Sequence, residues 1–393
     1  MVELRFNFID IFRAPRLALS AKKIWTQLRA LALGLILYNV FVYAAFAASG
    51  ADAYRIWSSY YLFPSLAAGA YPLNAAGVVL WAIGAFAFFL VSYLGMTAVA
   101  KISIEQLRGN DFYSRREAGQ YVKRHWRPVV FAPLAILVSL AALFGGGLLV
   151  GLVGKIPWFG DVVASLSIIP LYLGALLFVF LVVVFALSFC LTPAIVATTG
   201  DDTFETSFEL FSTLSGQPWR LVVYELLAWV LATAAAALFV LFSAVALKVA
   251  YLALYVPMGS KFAVAFAAAW RVMPCWMRGA FPGDFAPLVW LSGLNVQSFF
   301  VSSGAVLPLP WPQAIAATLL SLGFLIIYGI VVSYILNVNT VSQTIIYTVL
   351  RKKKDDENLL EMYDDELEQA MLALGTETGP GPGEEEGAVE EDG

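Results

Sequence analysis

Little in this 393-residue chain can carry acid–base or metal chemistry. It holds one histidine, His125, and two cysteines, Cys190 and Cys275. With a single imidazole, a Ser-His-Asp arrangement would have to form around His125. Neither a C-x-x-C nor a Cys/His cluster marks a metal site. The cysteines fall at different levels of the apolar segments set out below, so no disulfide framework follows. A phosphate loop G-x-x-x-x-G-K and a dinucleotide fingerprint are also missing. The apolar segments lack paired carboxylates, which leaves a membrane-embedded lipid enzyme without its acid and base. No catalytic, cofactor-binding or metal-ligating residue is assigned, and the expectation is a protein that is not an enzyme and uses no cofactor.

Charge is scarce too. Only 13% of residues are charged and 60% are hydrophobic, with a mean hydropathy of +0.78. Soluble domains carry about 25% charged and about 45–50% apolar residues, so the composition is that of a polytopic membrane protein. The net charge of −4 hides an asymmetry: 15 of the 28 acidic residues lie between Asp355 and Asp392, whereas all 24 basic residues precede them. The predicted fold is an all-α integral membrane bundle with a basic body and an acidic tail.

A helix crosses the hydrocarbon core with about 20 apolar residues. Six segments qualify: 28–49, 75–99, 129–153, 163–190, 221–247 and 314–337. The first follows a basic amphipathic arm, residues 1–27, and its apolar run exceeds that of a cleaved signal peptide; it is expected to be retained. With the N-terminus inside, 18 of the 24 basic residues fall in cytoplasmic segments, which sets both termini in the cytoplasm. Trp25, Trp126 and Trp219 then mark inner span ends, and with Arg127 and Arg220 they are the expected interfacial anchors. Residues 250–312 are apolar but broken by Pro274, Pro282 and Pro287, and interfacial, re-entrant and spanning readings stay open. Five glycines among residues 145–154 point to close helix contact in the third span, with a mere loosening of the helix as the alternative.

Two cytoplasmic connections resemble each other. "SRREAGQYVKRHWRPVV" and "DTFETSFELFSTLSGQPWRLVV" each open on a helix-capping signature, Ser114 with Glu117 and Asp202 with Glu205. Each then carries apolar residues at helical spacing: Ala118, Tyr121 and Val122 in one, Phe204, Phe208 and Phe211 in the other. Each meets a proline, Pro128 or Pro218, where a helix should break. Both then run into W-R-x-V-V, and "KKIWTQLRAL" ends the N-terminal arm comparably. Interfacial helices before spans three and five follow, either as a parallel internal repeat or because every inner interface needs Trp and Arg. His125 continues the stripe of the first helix, opposite a basic face of Arg116, Lys123, Arg124 and Arg127 suited to anionic lipid headgroups. A packing role, a pH-sensing role and a metal role are open to it, the first favoured by the flanking cations. Adjacent spans make lipid, not nucleic acid, the partner of these basic clusters.

The last span continues as one predicted helix to residue 350. Its inner half sets Ser333, Asn337, Thr340 and Thr344 on one stripe, either hydrogen-bonding to other helices or lining a polar path. Glu225, early in span five, is expected to pair with Arg127 or Arg220. The tail, residues 351–393, contains a short amphipathic stretch in 355–374 and is predicted to be disordered from about 375, where Gly, Pro and Glu dominate. It could dock a basic protein partner or serve only to keep the protein soluble, the commoner role of such tails.

"DIFRAPRLALSAKKIW", "TPAIVATTGDDTFETSFELFSTLSGQPWRLVVY" and "SQTIIYTVLRKKKDDENLLEMY" resemble segments of uncharacterised bacterial multi-pass membrane proteins. More distantly, the cytoplasmic helix followed by W-R is similar to the membrane domain attached to some glycerophosphodiester phosphodiesterases. The resemblance implies a fold type and a bacterial inner membrane; the metal-binding carboxylates and histidines of the associated barrel have no counterpart. The functional expectation is a scaffold or accessory subunit acting through lipid and protein contacts. The alternative is a transporter or channel using the polar stripe.

Overall fold

The computed structural model describes residues 4–52, 54, 56, 72–272 and 310–361. Among them every regular element is a helix. A 3-10 helix, Phe8–Arg13, leads into α1 (Ala14–Ala18) and α2 (Ala21–Ala48). Then come α3 (Ala75–Leu107), α4 (Arg115–Arg124), α5 (Trp126–Val153), α6 (Phe159–Leu166) and α7 (Ile168–Thr199). The chain continues through α8 (Thr203–Gly216), α9 (Pro218–Met258), α10 (Ser260–Val272) and α11 (Trp311–Asp355). Six of these, α2, α3, α5, α7, α9 and α11, are long and apolar enough to cross a membrane. The fold is an all-α, multi-pass membrane bundle.

Prolines place the breaks. Pro128 has no N–H to give the Arg124 carbonyl, and its ring would strike that oxygen. The α4 helix therefore stops at Arg124, and His125 (φ −109°, ψ 25°) caps both α4 and α5. Pro128 itself is harmless in the first turn of α5. Pro170 stands in the same relation to Leu166, and the chain breaks at Ser167, whose hydroxyl donates to the Val163 carbonyl at 2.7 Å. The fourth apolar segment is thus two helices, not one run from residue 163. Pro218 opens α9 directly after the break at Gln217.

The spanning helices are tight at one end and loose at the other. At the tight end, here called the basic end because α4 and Arg351 to Lys354 lie there, α11 is buried almost continuously from Val331 to Leu350. It packs on α1, α2, α3, α7 and α9, and on α10 farther out. Small residues allow this: Ala14 and Ala18 of α1 and Ala194 of α7 share its apolar core. A Cβ on Gly95 would meet the Ala30 Cβ at 2.5 Å, and one on Gly329 the Leu28 Cδ1 at 2.6 Å. Gly95 therefore marks a position where α2 is approached too closely for a side chain, whereas at Gly329 only the flexible end of Leu28 would have to shift.

The glycines of the third span do the opposite of what was expected. A Cβ on Gly145, Gly146 or Gly151 would touch nothing within 4 Å. Away from the basic end, α5 and α7 diverge around an apolar cavity of about 760 Å³, with Gly146, Gly147 and Gly174 on its walls. Without side chains there, α5 and α7 have nothing with which to fill the gap. Gly259 (φ +58°) turns α9 into α10, a 13-residue apolar helix too short to span. It packs on α11 through Phe266 and Phe324, ring centres 5.0 Å apart. Pro274, Pro282, Pro287 and Cys275, and the tail beyond Glu361, lie outside the described residues.

Candidate functional site at the basic end

The α4 helix begins in a complete capping box. Glu117 N donates to Ser114 Oγ at 3.2 Å and Ser114 N to Glu117 Oε2 at 2.7 Å. Ala118 and Val122 are buried against Ala98 and Ile102 of α3. Tyr121 donates its hydroxyl to the Val196 carbonyl of α7, and the Lys101 ammonium sits 4.5 Å above its ring. His125 stacks on that ring at 4.2 Å, with Nδ1 3.1 Å from the Tyr121 carbonyl. His125 is thus half-buried packing at a helix junction. The other side of the helix exposes Arg115, Arg116, Lys123 and Arg124, and Trp126 and Arg127 continue that exposed surface into α5.

Aromatic and aliphatic side chains stand exposed at the same end: Phe8, Phe12, Leu19 and Trp25 on the N-terminal arm, Phe112 before α4, and Trp219 at the start of α9. Arg5, Arg16, Arg29 and Arg220 are exposed among them. Trp25, Trp126 and Trp219 all lie in the first turns of spanning helices, where an interfacial ring finds both hydrocarbon and water.

The α8 helix departs from the expected pattern. Asp202 caps it, accepting from Phe204 N at 2.8 Å and Glu205 N at 3.0 Å. Its buried side, however, is Thr206, Glu209, Leu210, Thr213 and Leu214, while Phe204 and Phe208 are 77% and 64% exposed. Charge explains the rotation. The buried Glu209 carboxylate pairs with Arg351 and Lys354 of α11, and Thr213 donates to it at 3.2 Å. Turning the phenylalanines inward would strand that acid. Phe211 is the one of the three that packs, 6.0 Å from Phe180 of α7. Arg351 also holds Asp355 at 3.1 Å and Glu357 at 2.8 Å. Beyond α11 the chain folds back through Asp356 (φ +55°) to bury Leu359, whose carbonyl accepts from Arg108 Nε and Nη2 at 3.0 and 2.9 Å.

The polar stripe of α11 is interior. Ser333, Asn337, Thr340 and Thr344 are all buried. Three hydroxyls are satisfied along the helix: Ser333 donates to the Gly329 carbonyl, Thr340 to Leu336 and Thr344 to Thr340. Asn337 is different, because both its amide nitrogen and its oxygen are buried without a partner. Glu225 does not pair with Arg127 or Arg220. Its Oε2 accepts from Gln343 Nε2 at 2.7 Å, and Arg220 donates to Gln217 instead, at 3.3 Å. Sequence reasoning sets Gln343 with Asn339 on the stripe beside the one chosen and does not join it to Glu225. It passes over Lys23, whose ammonium is buried without a partner; only the fold shows that the arm is covered there. Comparison with known proteins finds no match to this chain among family models, curated proteins or solved structures.

Proposed function

We propose that the protein is a non-enzymatic scaffold or accessory subunit of a bacterial inner membrane, acting through lipid and protein contacts with its basic end toward the cytoplasm. The observation that supports this most is the exposed face of Arg115, Arg116, Lys123 and Arg124 running into Trp126 and Arg127 at the foot of a spanning helix. Cations beside aromatic rings at that level suit anionic headgroups. The buried, helix-satisfied hydroxyls of Ser333, Thr340 and Thr344 also fit a packed interior better than a conducting path. The acidic tail is the natural handle for a protein partner.

Each Lys or Arg near an anionic surface contributes about 1 kcal/mol. Replacing Arg115, Arg116, Lys123 and Arg124 together by Gln should cut the anionic lipid that copurifies in mild detergent at least about tenfold. Unchanged anionic lipid, with no protein copurifying through the tail, would sink the reading. A second reading, passage of a small molecule or lipid along α11, is favoured by the unpartnered amide of Asn337. Proteoliposomes that leak or take up solute with wild-type protein but not with Asn337→Leu would support it.

A further inference from the structure

Glu225 and Gln343 share one hydrogen bond and leave two oxygens over. Gln343 Nε2 donates to Glu225 Oε2 at 2.7 Å. Glu225 Oε1 and Gln343 Oε1 are each buried without a partner, and Gln343 is 1% exposed. Folded proteins leave few such atoms, and each asks for a missing donor. An ionised carboxylate has only acceptors to offer, whereas a protonated one has an O–H to give. A single proton on Glu225 Oε1 supplies that donor, and Gln343 Oε1 is the acceptor it needs. The outcome is a reciprocal acid–amide pair, closed by rotation about the broad last torsions of the two side chains without moving either helix. No second donor from the protein is then required.

Among the described residues, the groups packed around α9 near Glu225 offer no competing cation. On α9 itself, Arg220 is turned to Gln217. From α11, Arg351 and Lys354 are engaged by Glu209, Asp355 and Glu357, and the Tyr347 hydroxyl, one turn beyond Gln343, has no partner. From α8 comes Glu209, held by those same cations, with Glu205 exposed. The 3-10 helix and α1 bring Asp10, which faces Arg13 at 3.9 Å, and an exposed Arg16. The α7 helix brings the Cys190 thiol, and α10 an exposed Lys261. Intramembrane carboxyls in such settings carry protons or pair with one another.

We propose that Glu225 is a proton-binding site in the bundle interior, holding its proton against Gln343. Loss of the proton leaves two acceptor oxygens facing each other, which weakens the α9–α11 contact at the basic end. The proton leaves to water at that end, and no bond to carbon is made or broken.

The test uses the full chain in lipid nanodiscs. A hydrophobic carbodiimide adds across a carboxyl O–H and so marks protonated acids, which peptide mass mapping locates. Glu225 should be modified at pH 7 and at least tenfold less at pH 10. Infrared spectra at pH 7 should contain a carboxylic-acid C=O band that Glu225→Gln removes, while the variant, shaped like the neutral acid, keeps the wild-type melting temperature. An unmodified Glu225 at pH 7, with the variant losing carboxylate bands instead, overturns the proposal. If Glu225→Gln does not fold, the pH dependence of carbodiimide labelling in the wild type decides alone.

Discussion

Individual side chains at the basic end are set by partners far away in sequence. Glu209 pairs with Arg351 and Lys354, over 140 positions away, and that pairing chooses which face of α8 is buried. Asp201 illustrates the same dependence. It lies between α7 and α8, where burial raises its carboxyl above the ordinary carboxylate range, opposed by a hydrogen bond with Thr199 and the charge of Arg351. A raised folded-state value means that the fold favours the neutral acid. Its stabilising contribution is full at low pH and is lost as pH rises through the raised value. Asp201→Asn should therefore raise the melting temperature in detergent at pH 7 and above, with the gain shrinking toward pH 4. An equal gain at both values would show that charge is not the cause.

At the scale of elements, helix breaks and helix faces were each only partly readable. Pro128 and Pro218 act locally, each through the carbonyl four residues earlier, and the break near each is read from the sequence. The break before Pro170 is not, and Pro133 and Pro193 sit inside α5 and α7 without one. For α4 the apolar stripe did identify the buried side, since Ala118 and Val122 meet α3. For α8 it did not, because hydrophobic spacing carries no information about a buried ion pair supplied by another helix. Glycine was equally ambiguous. Gly95 is a point of close approach, whereas Gly145, Gly146 and Gly151 border open space, and nothing in a residue's own identity separates the two cases. The contrast can be tested. Gly95→Val should lower stability by about 1–3 kcal/mol, the usual cost of overpacking, while Gly146→Val should change it little. Thermal melts of the two variants in the same detergent compare them directly, and equal losses would contradict the contacts seen.

For the whole molecule, the charge bias between loops predicts the orientation, and the fold sets up a direct check of it. Arg115 and Lys155 are exposed at opposite ends of the bundle, before and after α5. In a chain with Cys190 and Cys275 replaced by Ser, Lys155→Cys should react with a membrane-impermeant maleimide added to intact cells. Arg115→Cys should react only after permeabilisation, and the reverse pattern would invert the assignment. The six long apolar helices among the described residues and the unbroken run of the last one to Asp355 were determined by the sequence alone. Both follow from apolar length, a property each segment carries by itself. Only the tertiary structure decided that the polar stripe of α11 faces inward, that Gln343 rather than an arginine holds Glu225, and that the core lies at the basic end while α5 and α7 part at the other. Those outcomes depend on which helices become neighbours, and neighbour choice is a sum of small contacts between distant residues that no local pattern encodes.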